Sequence, residues 1–114
     1  MLLDETGGPN HVGNLCSAPI LADTKNDRLL IQNSYYYIGH FARFIRPGAR
    51  RILCSTSRDR LEATACRNPD GSIAVVAMNR TDKEQKFEIQ TLETGWPCVL
   101  PPRSIATYIL KAKD

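Results

Sequence analysis

The stretch Asn68-Pro69-Asp70-Gly71-Ser72-Ile73-Ala74-Val75-Val76-Ala77-Met78 decides the fold class of this chain. Proline at the second place of a tetrapeptide and glycine at its end are typical of a tight turn, so residues 68–71 predict a chain reversal. The segment that follows is apolar at odd and even positions alike, which indicates a strand covered on both faces. A sheet with other structure packed on each side is therefore expected around residues 72–78.

Short strand patterns lie on both sides of this stretch. Strands are predicted at residues 51–55, 61–66, 72–78, 86–91 and 104–110, with residues 86–91 alternating as a strand with one wet face does. Trp96-Pro97 and Leu100-Pro101-Pro102 are interpreted as breaks. About five strands at this spacing predict a mostly β protein, a partial antiparallel β-sandwich. So few strands would leave apolar surface or an unpaired edge, which indicates that strands are missing.

A loop, a hairpin and one helix are predicted before the strands. Residues 4–19 are rich in turn formers, and residues 20–31 read as a short hairpin. Residues 34–46 predict a helix that Asn33 or Ser34 caps and that ends before Pro47-Gly48. Its apolar stripe, which needs a partner surface, consists of Tyr37, Ile38, Phe41, Phe44 and Ile45. The chain is thus expected to divide into residues 1–48 and 49–114.

Composition excludes several classes of protein. The chain has 114 residues, 42% of them hydrophobic, which suits one globular domain rather than a disordered tail. No apolar run is long enough for a membrane-spanning helix, and the first residues lack the pattern of a signal peptide. The net charge is +3, and four arginines lie close together in the sequence: Arg43, Arg46, Arg50 and Arg51. Binding to nucleic acid is therefore one hypothesis to consider. Without stacking aromatics or a known motif, a solvated face is the preferred interpretation, and no nucleic-acid partner is expected.

The cysteines and histidines give no sign of a metal or a cofactor. Cys16, Cys54, Cys66 and Cys98 lack the paired spacing of a zinc site. They are interpreted as small buried hydrophobic residues, while a disulfide between Cys54 and Cys66 across a hairpin stays open. No metal site and no cofactor are predicted.

No set of residues that could perform catalysis alone is evident. Nearly all of the acidic residues lie in predicted turns or on wet strand faces, where a solvated role is far more frequent than a catalytic pair. His11 lies in the glycine-rich loop without a nearby nucleophile, and His40 lies in the helix, off its apolar stripe. Asn79-Arg80-Thr81 fits the N-glycosylation sequon, a short match that means little by itself. No catalytic residue is therefore assigned.

Several motifs together resemble glycoside hydrolase family 30, the glucosylceramidase-type enzymes. They are, in chain order, Gly7-Gly8-Pro9-Asn10-His11-Val12-Gly13-Asn14, Ala18-Pro19-Ile20, Tyr35-Tyr36-Tyr37-Ile38-Gly39-His40-Phe41-Ala42-Arg43-Phe44-Ile45-Arg46-Pro47-Gly48, Asn68-Pro69-Asp70-Gly71-Ser72, Val76-Ala77-Met78-Asn79-Arg80 and Ser104-Ile105-Ala106-Thr107-Tyr108. The helical motif is similar to that family's Y-x-I/L-G-H-F-S-x-F-I/V-x-P-G segment. The matches keep their order over nearly the whole chain, and that order makes the resemblance specific.

The resemblance implies the end of a (β/α)8 barrel, residues 1–48, followed by a C-terminal β-sandwich, residues 49–114. The family's two catalytic glutamates lie on earlier barrel strands, and its sandwich also uses strands from the N-terminus of the protein. The reading frame is therefore expected to be truncated, with the barrel domain as its missing partner. One pocket position is implied: Asn14 matches an asparagine whose amide contacts a sugar hydroxyl in the intact enzyme, whereas without the barrel Asn14 is interpreted as a turn residue after Gly13. Leu15 stands where an aromatic residue is common.

Three functional hypotheses follow. The first is a non-catalytic accessory portion of a retaining β-glycosidase, inactive alone and in contact with carbohydrate only within the intact enzyme. The second is a carbohydrate-binding module, for which Trp96 is the one tryptophan available. The third is an interaction or self-assembly module, because an aromatic helix stripe and open strand edges need covering.

Overall fold

A computed structural model describes residues 2–8, 12–13, 16–57 and 60–111. Its strands are β1 Leu2–Asp4, β2 Ile20–Asp23, β3 Arg28–Ile31, β4 Arg50–Arg51, β5 Leu61–Arg67, β6 Ile73–Asn79, β7 Gln85–Gln90, β8 Gly95–Leu100 and β9 Ser104–Leu110, and the helix α1 spans Asn33–Phe44. The described fold is mostly β, with one helix and several antiparallel pairings, as the sequence predicts. By compactness the chain divides into two units, Met1–Gly39 and His40–Asp114.

The first unit contains a three-stranded sheet and the start of α1. Strands β2 and β3 pair antiparallel from Ile20↔Ile31 to Asp23↔Arg28, which confirms the predicted hairpin. The carboxylate of Asp23 closes its turn by accepting from the Asn26 amide and from the Arg28 guanidinium. Strand β1, which no sequence pattern predicted, pairs parallel to β2.

The second unit contains a sandwich of two sheets. One sheet has the order β4-β5-β6-β9, and the other is the pair β7-β8. The core between them contains Leu61, Ala77 and Leu100, with Phe87 and Tyr108 packed against it. The rings of Phe87 and Tyr108 meet edge to face at 6.0 Å, an arrangement that aromatic pairs prefer.

The opposite face of the four-stranded sheet contacts the last part of α1. His40 Nδ1 lies 2.8 Å from the hydroxyl of Thr107, whose neighbours in β9 point to the other face. Strand β6 is therefore covered on both sides, and Ala74, Val75, Val76 and Ala77 are all buried. The prediction of a strand covered on both faces at residues 72–78 is confirmed.

Two local predictions are wrong. Trp96 and Pro97 lie within β8, paired with Ile89 and Glu88 of β7, and do not break the chain there. A two-stranded sheet has only edge strands, so a proline whose missing N–H faces outward is tolerated. The predicted strand at residues 51–55 is regular only over Arg50–Arg51, since the chain leaves the sheet soon after the Ile52 amide bonds to Ala65.

The cysteines also differ from expectation. All four are free thiols: Cys16 and Cys54 are exposed, and Cys66 and Cys98 are partly exposed. The interpretation as buried hydrophobic residues is therefore wrong, and no disulfide joins Cys54 to Cys66.

Candidate functional site

The carboxylates of the described residues mostly serve turns and ion pairs. Asp70 accepts from the backbone and the hydroxyl of Ser72, and these hydrogen bonds hold the pKa of its carboxyl below the ordinary value. The Arg103 guanidinium likewise lowers the pKa of Asp82. Among the described carboxyl groups, five have a shifted pKa, and in each of them the pKa is lowered. They belong to Asp4, Glu5, Asp23, Asp70 and Asp82. A general acid for glycoside hydrolysis needs the opposite shift.

Asn68 joins the end of the helix to the sandwich. This buried residue follows β5, and its Oδ1 accepts from the Arg46 amide while its Nδ2 donates to the Phe44 carbonyl, both at 2.9 Å. The Gly71 amide donates back to the Asn68 carbonyl and closes the predicted turn. The side chain thus satisfies both a donor and an acceptor that the helix terminus leaves without partners. It explains why α1 ends at Phe44, two residues before the predicted end.

The sequon asparagine has a structural role. Asn79 is fully buried, and its Nδ2 donates to the carbonyls of Lys83, Leu100 and Pro101. Its Oδ1 accepts from the amide and hydroxyl of Thr81. The same amide that glycosylation would modify connects the β6–β7 turn to the end of β8, so it is not accessible in the folded chain.

A shallow groove of about 480 Å³ lies beside Asn68. It is lined by Arg43, Phe44, Arg46, Pro47, Asn68, Pro69, Asp70, Ser72 and Ile109. Gly48 has a φ of 87°, a left-handed conformation that favours glycine, and an added Cβ would lie 3.2 Å from Pro69. The groove is thus shaped by a tight approach between the turn after α1 and the turn after β5.

The other predicted functional features are only partly visible. Asn14, Leu15 and His11 lie outside the described residues. His40 contacts Thr107 rather than an acidic partner. In the described part of the chain, no cluster of three or more metal-ligating side chains is present, and no helix is long and apolar enough to cross a membrane.

Comparison with known proteins matches both parts of the chain to one family. Residues 48–108 match the glycosyl hydrolase family 30 β-sandwich domain, and residues 1–45 match the TIM-barrel domain of the same family. The chain belongs to glycoside hydrolase family 30. The resemblance to this family that the motifs indicated is therefore confirmed.

Individual members of family 30 agree with this assignment. The chain is 38% identical to the lysosomal acid glucosylceramidase of Mus musculus over 96% of its own length, but over only 22% of that protein. Among solved structures, SrfJ from Salmonella typhimurium is similar with a TM-score of 0.91 and 41% identity, covering 98% of this chain and 25% of that one. The endo-beta1,6-glucanase BT3312 is similar with a TM-score of 0.83 and 25% identity, covering 97% and 26%. The chain therefore spans about a quarter or less of these relatives.

Proposed function

We propose that this chain is a non-catalytic accessory portion of a family 30 retaining β-glycosidase and that it does not hydrolyse glycosides alone. In this proposal residues 1–48 are the end of the barrel, residues 49–114 are the C-terminal sandwich, and the remaining barrel is the partner. The observation that carries the proposal is the order of the two family matches, a barrel end followed by the sandwich, on a chain that spans 22% of its glucosylceramidase relative.

The electrostatics of the described carboxylates support inactivity. A retaining mechanism requires two carboxyl groups about 5 Å apart, one of them protonated at the working pH. The carboxyl groups whose pKa is lowered are held in the ionised form by hydrogen bonds, as Asp70 is by Ser72 and Asp82 is by Arg103. They are therefore poorly suited to donate a proton to a leaving group.

The exposure of helix α1 is evidence that the partner of this chain is the barrel. No residue of α1 is buried, and Ile38 and Phe41 of the predicted apolar stripe are 53% and 43% exposed. Helices on the outside of a (β/α)8 barrel bury such a stripe against the strands and the neighbouring helices. The exposed stripe is what a barrel helix without its neighbours would present.

Hydrolysis by the purified chain tests the proposal. We expect no release of aryl alcohol from an aryl β-glucoside above the buffer rate, whereas an intact family 30 glucosidase in the same assay turns over. Glu88→Gln and Asp70→Asn variants provide controls for contaminating activity, because a contaminant is indifferent to them. Robust turnover that a single acid-to-amide change abolishes would overturn the proposal.

The sugar contact of Asn14 is part of the same proposal. In an intact enzyme that contains this segment, Asn14→Ala should raise KM or lower kcat/KM, because one hydrogen bond to a sugar hydroxyl is lost. Asn33→Ala, at the exposed start of α1, is a matched control. Equal kinetics for the two variants would remove Asn14 from the pocket.

A carbohydrate-binding module is the second candidate, and Trp96 is the observation that favours it. Trp96 lies on β8 and is 38% exposed, and Val99 of the same strand is 50% exposed. Aromatic side chains on a sheet face are a common platform for sugars, although a single one offers a small contact. Calorimetric binding of a β-glucan that is lost in Trp96→Ala and kept in Val99→Ala would support this function over the accessory role.

Self-association is the remaining alternative, favoured by exposed apolar side chains. Leu53 and Leu92 are almost fully exposed, and β9 is an uncharged edge strand of the larger described sheet. Such edges pair readily with other chains. Sedimentation of the purified chain as a well-behaved monomer would count against this alternative.

A further inference from the structure

Strand β9 has one side without a neighbouring strand. It is the last strand in the order β4-β5-β6-β9, so among the described residues only the side that faces β6 is paired. None of the other backbone hydrogen bonds in this part of the chain involves residues 104–110. In an antiparallel ladder the backbone groups of successive residues point to alternate sides of the strand. About half of the N–H and C=O groups of β9 therefore point outward without a protein partner among the described residues.

The other described edges of the sandwich carry features that discourage strand pairing, whereas β9 does not. Strand β4 is two residues long, and both residues are exposed arginines, Arg50 and Arg51. Strand β7 contains Lys86 and Glu88, and β8 contains Pro97. Short length, charged side chains and proline all protect the edge of a sheet. Strand β9 has seven residues without charge, proline or glycine, and its register with β6 is continuous. Its outer side is therefore the described edge best suited to pair.

A second copy of β9 is a complement to this edge. Two identical strands that run antiparallel about a two-fold axis match each outward N–H of one with an outward C=O of the other. We propose that two copies of the chain join in this way through β9, so that their four-stranded sheets become one continuous sheet. The inference rests on the self-association alternative and gives it one defined surface.

The length of β9 defines the register of greatest overlap. All seven residues are paired only when Thr107, the central residue, lies across from Thr107 of the second copy. Ile105 then lies across from Ile109 of the second copy, on the face that contacts α1, because both share the face of Thr107. Ala106 lies across from Tyr108 on the face of the core. Cross-strand pairs of apolar and aromatic side chains stabilise a sheet, so both faces contribute to the pairing.

The ends and the size of β9 indicate a weak, reversible dimer. In the same register Arg103 lies across from Lys111 of the second copy, but the charge of Arg103 is already compensated by its ion pair with Asp82. Seven paired residues extend over about 23 Å. One strand pair of this length buries less surface than the roughly 800 Å² per partner of a standard stable interface. The dimer should therefore form only as the concentration of the chain rises.

Sedimentation and hydrogen exchange of the 114-residue chain test this edge. The average mass should rise from that of a monomer to that of a dimer, and no further, between about 1 and 300 μM. Over the same range the amides of residues 104–110 should exchange at least about threefold more slowly, because the outward N–H groups become paired. The amides of residues 85–100, in β7 and β8, should keep their rates and serve as the internal control.

Two variants of equal charge locate the interface. Ile109 of β9 and Val99 of β8 are 40% and 50% exposed, so a lysine at either position can reach solvent in the monomer. Ile109→Lys should weaken dimerisation at least about tenfold, whereas Val99→Lys should change it less than about twofold. Ile109→Thr removes apolar surface without adding charge and should weaken it less than about threefold, because backbone bonds carry the pairing. Circular dichroism and urea unfolding check that each variant is folded.

Several results would overturn the proposal. A chain that stays monomeric over the whole range excludes the dimer, and slow exchange of residues 104–110 in that monomer would assign the edge to another segment of the same chain. Association that slows exchange around Leu53 and Leu92 or in α1, but not in β9, would leave self-association standing and remove this interface. Equal weakening by Ile109→Lys and Val99→Lys would show that added charge alone is responsible. None of these outcomes bears on the hydrolysis test, so this inference and the accessory function can fail separately.

Discussion

Replacing Asn79 by alanine should destabilise the sandwich more than any exposed substitution. The side chain is fully buried and makes hydrogen bonds to three carbonyls, those of Lys83, Leu100 and Pro101, at 2.8 to 3.3 Å. It also accepts from the Thr81 amide and hydroxyl at 3.0 and 2.7 Å. Alanine removes all of these partners at once, at the point where the two sheets meet.

The expected loss in the free energy of unfolding is about 2–4 kcal/mol. A typical hydrogen bond contributes about 1 kcal/mol net, and each buried group left without a partner costs about 1–3 kcal/mol. The Leu100 carbonyl is the group least able to find water, because Leu100 is almost fully buried. The outer groups at Lys83 and Thr81 face the surface and recover part of their bonding from solvent, which keeps the loss below the simple sum.

Urea unfolding monitored by tryptophan fluorescence measures this loss. Trp96 is the single tryptophan and lies in β8, the strand whose end Asn79 holds, so its signal reports on the sandwich unit. Gln90→Ala is the matched control, since this exposed amide in β7 makes one long bond, at 3.4 Å to Glu88, and should cost less than about 0.5 kcal/mol.

A second change at the same site sharpens the prediction. Asn79→Asp keeps the acceptor for Thr81 but directs a carboxylate at three carbonyl oxygens, which favours the protonated form in the folded state. The folded pKa is then raised, so stability should increase as the pH falls toward and below it, the reverse of most carboxylates. If Asn79→Ala lowers the free energy of unfolding no more than Gln90→Ala does, the reasoning about the buried hydrogen bonds of Asn79 is refuted.

Three further predictions concern Asn68, the pair formed by Arg50 and Arg67 on neighbouring strands, and Asp70. Asn68→Ala should cost about 1–2 kcal/mol and speed hydrogen exchange of the Arg46 amide, measured by mass spectrometry or NMR; unchanged exchange would contradict the capping role. Arg67→Glu should stabilise the chain by about 0.2–1 kcal/mol in low salt, because it places opposite charges across from Arg50, and the gain should fade in high salt, as urea midpoints would show. The carboxyl pKa of Asp70 is lowered on folding, so its contribution is present above the unfolded value near 3.8 and lost as the pH falls through the folded value; Asp70→Asn should flatten the decline in thermal midpoint below about pH 4, and an unchanged decline would assign it to other groups.

Local sequence signals predicted most of the elements of the fold. The turn at residues 68–71, the doubly covered strand β6 and the alternating strand β7 could be read directly, because proline and glycine positions and apolar periodicity act over a few residues. The hairpin of β2 and β3 and the last strand, β9, followed from the same signals. The family followed from motifs in order along the chain, and both family matches confirm it.

Tertiary contacts decided what local signals could not. Trp96-Pro97 carries the pattern of a break, and only the pairing with Ile89 and Glu88 makes it part of a strand. The helix ends at Phe44 because Asn68, from a turn more than twenty positions away, takes the Arg46 amide and the Phe44 carbonyl.

The N-glycosylation sequon is another place where the sequence pattern indicates one role and the structure shows a different one. Asn79-Arg80-Thr81 has the form of a modification site, but burial between the sheets turns the asparagine into an internal hydrogen-bonding group. The sequence by itself thus determined the class of fold, the order of most elements and the family. The tertiary structure decided where strands and helix end and which polar side chains hold the sandwich together, because those outcomes depend on partners distant in the chain.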